Sequence, residues 1–234
     1  MIRTILSVVV MLLLYSSCNI NCLEGRGELK TEARQLKSFT KIHLSMDAKV
    51  IITKDSVQSI RVEAQQNILQ VLTTEVSGKW LYIDADECLV DNKPITVYIS
   101  TPSFEAIEID GSGSVEGQGS FYSEKVELTI KGSGSMNIGL SANTVYSDIS
   151  GSGNINVSGS ARKFNIDING SGDVNAQSMP SEVCKVNVRG SGNCRIFAIS
   201  KLSVDIAGSG NVYYKGTPDI STNINGSGKL EKNM

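Results

Sequence analysis

The sequence is poor in histidine, proline and aromatic residues. Its 234 residues include one histidine, four prolines and 6% aromatic residues. The single imidazole, His43, cannot build a metal site of several histidines, and a Ser-His-Asp triad would have to use this one residue. The formal charge of −2 provides neither a basic surface for nucleic acid nor a polyacidic tail. The composition therefore predicts no nucleic-acid partner and no catalytic site of these common types.

A hydrophobic run long enough to span a membrane is also missing. The apolar stretch Ile5–Tyr15 follows a positive charge and precedes small residues, which is typical of a secretory signal. Ser16-Ser17-Cys18 resembles a bacterial lipobox. We therefore predict a signal peptide over 1–17, a lipidated tether over 18–26 with the lipid on Cys18, and an outer-membrane lipoprotein facing the periplasm or the surface. The alternative is ordinary cleavage of the signal peptide, which would leave Cys18 as a free thiol and the protein secreted.

Glycine, in contrast, is abundant and regularly placed. Twenty-two glycines are present, and the triplet G-S-G occurs seven times, starting at Gly111, Gly132, Gly151, Gly170, Gly190, Gly208 and Gly226. Successive triplets are 18 to 21 residues apart. This period matches one coil of a solenoid.

Apolar residues alternate with polar ones on both sides of every triplet. The position two residues before the first glycine is always β-branched and apolar: Ile109, Ile130, Ile149, Ile168, Val188, Ile206 and Ile224. Such alternation predicts two half-buried strands in each coil. Coils stacked at about 4.8 Å would pair their backbones and align like side chains. The fold class is therefore all-β, a parallel β-helix or a closely related β-solenoid with seven GSG-cornered coils.

The triplet itself is predicted to be a corner and not a phosphate loop. A strand follows it in every repeat, whereas a phosphate loop requires a helix at that point. Glycine permits a sharp bend with a left-handed backbone, and we expect the corner serines to hydrogen-bond to one another between coils. Length varies in another place, between the second strand of one coil and the first strand of the next. An outward-facing connection there could absorb insertions.

The N-terminal part, residues 27–105, is less regular than the GSG-repeat solenoid of residues 106–234. We interpret Ser38–Ser100 as degenerate coils that cap and continue the same core, because terminal repeats must close a solenoid. Ser45-Met46-Asp47 occupies a position similar to the glycine corner. The spacing in residues 67–72 is ambiguous and weakly helical.

The cysteines divide into two groups. Cys184 and Cys194 occupy interior columns on the two strands of one coil, so we predict that they are buried and free. If Cys18 carries the lipid, Cys22 and Cys88 remain in a compartment that permits disulfides. Whether these two pair is left open.

Outward-facing acids and tyrosines are the candidate functional residues. Asp148 and Asp167 are neighbours in one outward column, with Asp205 further along it and Arg189 one column away. The two acids are weak candidates for a Ca²⁺ site, while no other cofactor and no catalytic residue is predicted. They would also be the acids of the alternative function, a pectinase-like enzyme that acts on polysaccharide. Tyrosines on or near the surface could stack on sugars: Tyr122, Tyr146, Tyr213 and Tyr214.

Most of the chain, from about Glu28 to Lys232, resembles the family of putative auto-transporter adhesins with a head GIN domain. The resemblance rests on the strand-GSG-strand repeats and on the upstream segments "RQLKSFTKIHLSMDAKVIITKDSVQSIRVEAQQNIL" and "ISTPSFEAIEIDGSGSV". It implies an exported or envelope-anchored right-handed β-helix whose partner is a glycan or an envelope protein. The family supplies no catalytic motif. We therefore expect a non-enzymatic binding protein, held to the membrane by its N-terminal lipid.

Overall fold

The structure is a computed structural model that describes residues 22–233. The predicted signal peptide and the lipidation site Cys18 lie outside the described residues. Strands make up 73% of the chain, and no described helix reaches seven residues. Within 22–233 we find no helix with both the length and the apolar character needed to cross a membrane.

The N-terminal part contains short strands and one helical turn: β1 (Leu23–Glu24), β2 (Leu29–Arg34), β3 (Lys41–Leu44), β4 (Lys49–Lys54), β5 (Ser59–Gln65), α1 (Gln66–Leu69), β6 (Leu72–Ser77), β7 (Trp80–Ala85), β8 (Leu89–Val90) and β9 (Thr96–Thr101). The repeat part contains β10 (Ala106–Gly111), β11 (Ser114–Gly132), β12 (Ser135–Gly151), β13 (Asn154–Gly170), β14 (Asp173–Gly190), β15 (Cys194–Gly208), β16 (Asn211–Lys215), β17 (Asp219–Gly226) and β18 (Lys229–Lys232), and its long strands are β11 to β15. A 16-stranded sheet includes all of them except the pair β1–β8.

The repeat part confirms the predicted β-solenoid of about seven turns. Each coil pairs with the next in parallel, and the corner glycines are in register, so that Gly170 lies between Gly151 and Gly190. Residues two positions before the corner are 0–1% exposed from Ile109 to Ile206. Burying each such side chain contributes about 1.5–3 kcal/mol. The stacked columns therefore form one continuous core along the solenoid axis.

Irregular pairing between coils occurs where variable length was predicted. The register shifts between Glu116 and Ser120 and between Ala176 and Pro180. Both places lie between the second strand of one coil and the first strand of the next. The extra residues bulge there without disturbing the corners.

The G-S-G corners are held together by backbone and not by serine hydroxyl groups. The amide nitrogen of Ser171 donates to the carbonyl oxygen of Gly151 at 2.8 Å, and every corner serine from Ser133 to Ser227 makes the same contact with the preceding coil. The expected hydrogen bonds between corner serine hydroxyls are not found among residues 22–233. The first corner glycine has a positive φ, +132° at Gly170. A side chain on it would lie against the coil below.

The N-terminal strands continue the core, as predicted. The strand β3 lies between β7 and β10, while β4 lies between β9 and β11, and all four pairings are parallel. The register places Ser45–Ala48 opposite Asp110–Gly113. Ser45-Met46-Asp47 is thus a corner of the stack.

The sequence predicted a cap here, but not the order of these coils or the antiparallel pairing of the cap. The coil of β7 and β9 lies outside the coil of β3 and β4, although it comes later in the chain. Antiparallel strands then close this end, with β5 on β9, β2 on β5 and β6 on β7. Residues 67–72 include the end of α1 and the start of β6. An alternating pattern shows which side of a strand is buried, but it does not show the strand's partner or direction.

The cysteines behave as two separate groups. Cys184 and Cys194 are buried and free, which confirms the prediction. Burial raises the pKa of the Cys184 thiol to about 12 and also raises the pKa of Cys194, so both thiols stay protonated. Cys22 and Cys88 form a disulfide across 66 residues. This bond joins the start of the described chain to the connection between β7 and β9.

We predict that Gly170→Ala destabilises the protein by about 2–5 kcal/mol. The new methyl group would lie 2.3 Å from the Gly151 carbonyl oxygen, and the alanine would also keep a positive φ. The matched control is Gly111→Ala, which has φ +114° but no atom within 4 Å of the new methyl group. The control should show only the backbone strain, about 1–2 kcal/mol. Urea unfolding measures both, and equal losses in the two variants would contradict the stacking explanation.

Candidate functional site

One side of the solenoid presents a flat surface of outward side chains, which we call the polar face. It is formed by β7, β3, β10 and the part of β11–β15 and β17 that precedes each corner. Its central column, in register from strand to strand, is Tyr82, His43, Glu108, Thr129, Asp148, Asp167, Asn187, Asp205 and Asn223. Neighbouring members are about 4.8 Å apart along the axis.

Asp148 and Asp167 are neighbours in this column, as the sequence indicated. Asn187 Nδ2 donates to Asp167 Oδ1 at 2.7 Å, so an amide compensates that carboxylate. Partial burial and the charge of Asp167 raise the pKa of Asp148, while the ammonium group of Lys131 and a hydrogen bond from Ser150 lower it. The basic residue beside this pair is thus Lys131.

Arg189 lies on the polar face but in the neighbouring column, in register with Asn169 and Ala207. Its side chain is exposed, and among the described residues no carboxylate pairs with it. Asp205, in the central column, accepts a hydrogen bond from Asn223 Nδ2 at 3.0 Å. These contacts are those of a solvated polar surface.

A second group of polar residues, which the sequence analysis did not identify, lies at the capped end of the polar face. His43 Nε2 is 3.4 Å from Asp110 Oδ2, and Glu108 is close enough for all three to offer ligand atoms within 4.8 Å of one another. Trp80 and Tyr82 contact the imidazole edge-on, with centroid distances of 6.3 Å and 5.4 Å. One imidazole and two carboxylates suit a divalent transition metal better than Ca²⁺. Glu108 also forms an ion pair with Lys131, which a metal would have to displace.

A cleft of about 480 Å³ lies beside the polar face, and we call it the Tyr122 cleft. On one side it is bounded by residues at the start of β3 and just before β10, and on the other side by the connecting segment inside β11. Its lining residues are Lys41, Ser103, Glu105, Tyr122, Ser123, Glu124, Lys125 and Glu127. Tyr122 is 67% exposed, compared with 42% for Tyr146 and 39% for Tyr82. The cleft therefore has a more exposed aromatic ring than the polar face.

The candidate tyrosines are not brought together. Tyr146 lies on the polar face, where the ammonium group of Lys125 is 4.9 Å from its ring centroid. Tyr213 lies beyond the corner on β16, and the guanidinium group of Arg195 is 5.3 Å from its ring centroid. The polar face thus carries Tyr146 together with the candidate acids and Arg189, while Tyr213 belongs to another side of the solenoid.

The sequence signal for the Tyr122 cleft was the connecting segment "QGSFYSEK", which is the longest of its kind in the repeats. The sequence alone could not show that this segment faces Lys41 from a coil 80 residues earlier. The signal for the histidine group was equally indirect, because His43, Tyr82 and Glu108 meet only through the unexpected order of the N-terminal coils.

Comparison with known proteins agrees with the fold. A family model described as "Putative auto-transporter adhesin, head GIN domain" matches residues 38–218. Among curated proteins no significant match is found.

Solved structures share the architecture at low sequence identity. A putative adhesin from Bacteroides fragilis is 20% identical, with a TM-score of 0.86 over 90% of this chain and 100% of that one. A putative adhesin from Parabacteroides distasonis is 22% identical, with a TM-score of 0.70 over 90% and 99%. A putative lipid binding protein from the same species is 22% identical, with a TM-score of 0.73 over 91% and 99%. These likenesses concern the fold.

We predict that Asp148→Asn stabilises the protein at pH 7 but not at pH 3. A raised folded-state pKa means that the folded protein binds this proton more tightly than the unfolded chain does. The contribution of the protonated Asp148 carboxyl to the free energy of unfolding is therefore fully present below the pKa of the unfolded chain, near the ordinary value of 3.8. It is lost as the pH rises through the higher pKa of the folded protein. Urea unfolding at both pH values measures the difference.

The control for this variant is Asp205→Asn, whose neighbours in register are the amides Asn187 and Asn223. It removes a carboxylate from the same column without relieving a repulsion between carboxylates. If Asp148→Asn gains no more at pH 7 than this control, the repulsion with Asp167 does not matter for stability.

Proposed function

The chain belongs to the family of putative auto-transporter adhesins with a head GIN domain, and we propose that it is an exported, lipid-anchored binding protein of the cell envelope. The solenoid holds a ligand without cleaving it. Its N-terminal lipid on Cys18 attaches it to the outer membrane, facing the periplasm or the surface. The partner is a glycan or another envelope protein.

The observation that carries this proposal is the rigid stacked surface formed by the polar face and the Tyr122 cleft beside it. The side chains of the polar face are half-buried or exposed, and they stand on strands whose backbone is paired on both sides along most of the stack. Such a rigid surface loses little conformational freedom when it binds an extended partner. Relatives with the same fold are described as putative adhesins, which agrees with binding.

The disulfide supports export. Cys22 and Cys88 form a bond that persists in oxidising compartments and is rare in the cytosol. The bond starts four residues after Cys18, so the polypeptide that follows a lipid would be fixed to the capped end of the solenoid almost at once. The anchor and the folded body would then be joined by a short connection.

The arrangement of the two acids favours binding over catalysis. A glycosidase needs a general acid and a second carboxylate on the two sides of the scissile bond, usually in a cleft. Asp148 and Asp167 instead lie side by side on a flat surface, and Asn187 occupies one oxygen of Asp167. Burial, and then the proximity of Asp167, explains the raised pKa of Asp148 without a catalytic role.

We predict that metabolic labelling with a palmitate analogue modifies the wild-type protein and not Cys18→Ala. The alanine variant should also leave the membrane fraction, because the solenoid would have lost its anchor. The control is Cys22→Ala, which removes a neighbouring cysteine and the disulfide but should keep the label. A label that survives Cys18→Ala would refute the anchor.

We also predict that the full-length protein releases no reducing ends from pectin, xylan, β-glucan or chitin, while it is retained on envelope material from the same bacterium. The variant Asp148→Asn/Asp167→Asn should be retained to a similar degree. Its control is Asp205→Asn, one coil beyond Asn187. Cleavage by the wild type that is lost in the double variant and kept in the control would replace this proposal with the polysaccharide-active enzyme.

A further inference from the structure

We propose that the Tyr122 cleft is a carbohydrate site that takes an uncharged, hydroxyl-rich glycan. This inference rests on the proposed binding function and gives it a place and a ligand class. The cleft lies beside the polar face and includes none of the outward acids that the sequence singled out. Its aromatic ring, its charges and its rigidity each contribute to the argument.

Tyr122 is held in an exposed position by its two neighbours in the chain. Phe121 is 2% exposed and packs against Phe104 with ring centroids 4.9 Å apart. Ser123 Oγ donates to the Phe104 carbonyl oxygen at 2.7 Å. Because Phe121 and Ser123 are both held by contacts with Phe104, the backbone at Tyr122 cannot rotate to bury the tyrosine ring in the core. A large ring that is kept in water in this way is a preorganised platform for the apolar face of a sugar.

The ammonium groups of the cleft are also held in place. Lys41 Nζ lies 5.3 Å from the ring centroid of Trp80, and Lys125 Nζ lies 4.9 Å from that of Tyr146. Such cation–π contacts contribute about 0.5–1 kcal/mol at exposed sites. The two rings are thus occupied by lysines, whereas Tyr122 has no such partner among the described residues.

The charges of the cleft nearly cancel. Glu105 is paired with Lys79 at 2.9 Å, and this hydrogen bond holds the pKa of Glu105 below its usual value. Glu127 is paired with Lys125, and Asn143 Nδ2 donates to Glu124. Paired carboxylates and ammonium groups retain free lone pairs and protons for sugar hydroxyls. A lining that is close to neutral gives no net attraction for a polyanion or a polycation, which favours an uncharged glycan.

We expect the full-length protein in detergent to bind one or more neutral oligosaccharides on an array of mannans, galactans, β-glucans and N-acetylglucosamine polymers. Tyr122→Ala should weaken the strongest of these interactions by about tenfold or more, because the stacking platform is lost. Tyr122→Phe keeps the ring and should stay within about twofold of the wild type. Affinities are measured by titration calorimetry, and circular dichroism confirms that each variant is folded.

The matched control is Tyr213→Ala, which removes a tyrosine from another side of the solenoid and should leave the affinity unchanged. Binding of the neutral glycan should change less than about twofold between 50 and 500 mM salt, since no net charge is neutralised. If Tyr122→Ala binds like the wild type, the cleft is not the site. If the array shows binding only to sulfated or uronate chains, or if a protein is the sole ligand found, the ligand class is wrong. The palmitate and cleavage experiments do not involve Tyr122, so they decide the proposed function independently.

Discussion

The structure depends on the close approach of one G-S-G corner to the next. From the second corner onward, the amide of the corner serine donates to the first glycine carbonyl of the preceding coil, and this leaves no room for a Cβ atom at Gly170 or at the first glycines of the other stacked corners from Gly132 to Gly226. Because the corners are fixed, coils can differ in length only on the far side of the cross-section. The register shifts and the Tyr122 cleft are found there. Because the corner cannot vary, differences in coil length are confined to the side of the solenoid that carries the Tyr122 cleft, where binding is proposed.

Because the coils stack in register, equivalent residues of successive coils form columns along the solenoid. Outward side chains of equal register lie about 4.8 Å apart, so identical charges repel unless an amide or an opposite charge lies next to them. Asn187 beside Asp167 and Asn223 beside Asp205 satisfy this requirement. Asp148 next to Asp167 satisfies it least well, and partial burial together with the charge of Asp167 raises the pKa of Asp148. A perturbed carboxylate in a solenoid therefore reflects its neighbours in register before it indicates catalysis.

The N-terminal end shows where periodicity stops being informative. The alternation in β5, β6, β7 and β9 gave their buried sides but not their partners. Three antiparallel pairings close the stack, and the coil of β7 and β9 lies outside an earlier coil. This order brings Trp80 and Tyr82 next to His43, and Lys41 to the Tyr122 cleft. The sequence analysis placed Arg189 one column from the acid pair, whereas in the fold Lys131 of that same column is the basic residue that acts on Asp148.

The sequence by itself determined the seven coils, their glycine corners, the buried columns and the free state of Cys184 and Cys194. These features follow from local periodicity and from steric limits that recur in every repeat. Only the tertiary structure decided the antiparallel cap, the Cys22–Cys88 bond, the His43 group and the cleft beside Tyr122. Each of these joins residues from different coils, and their spacing depends on the order in which the coils stack. That order is chosen by the packing of the whole core and leaves no periodic trace in the chain.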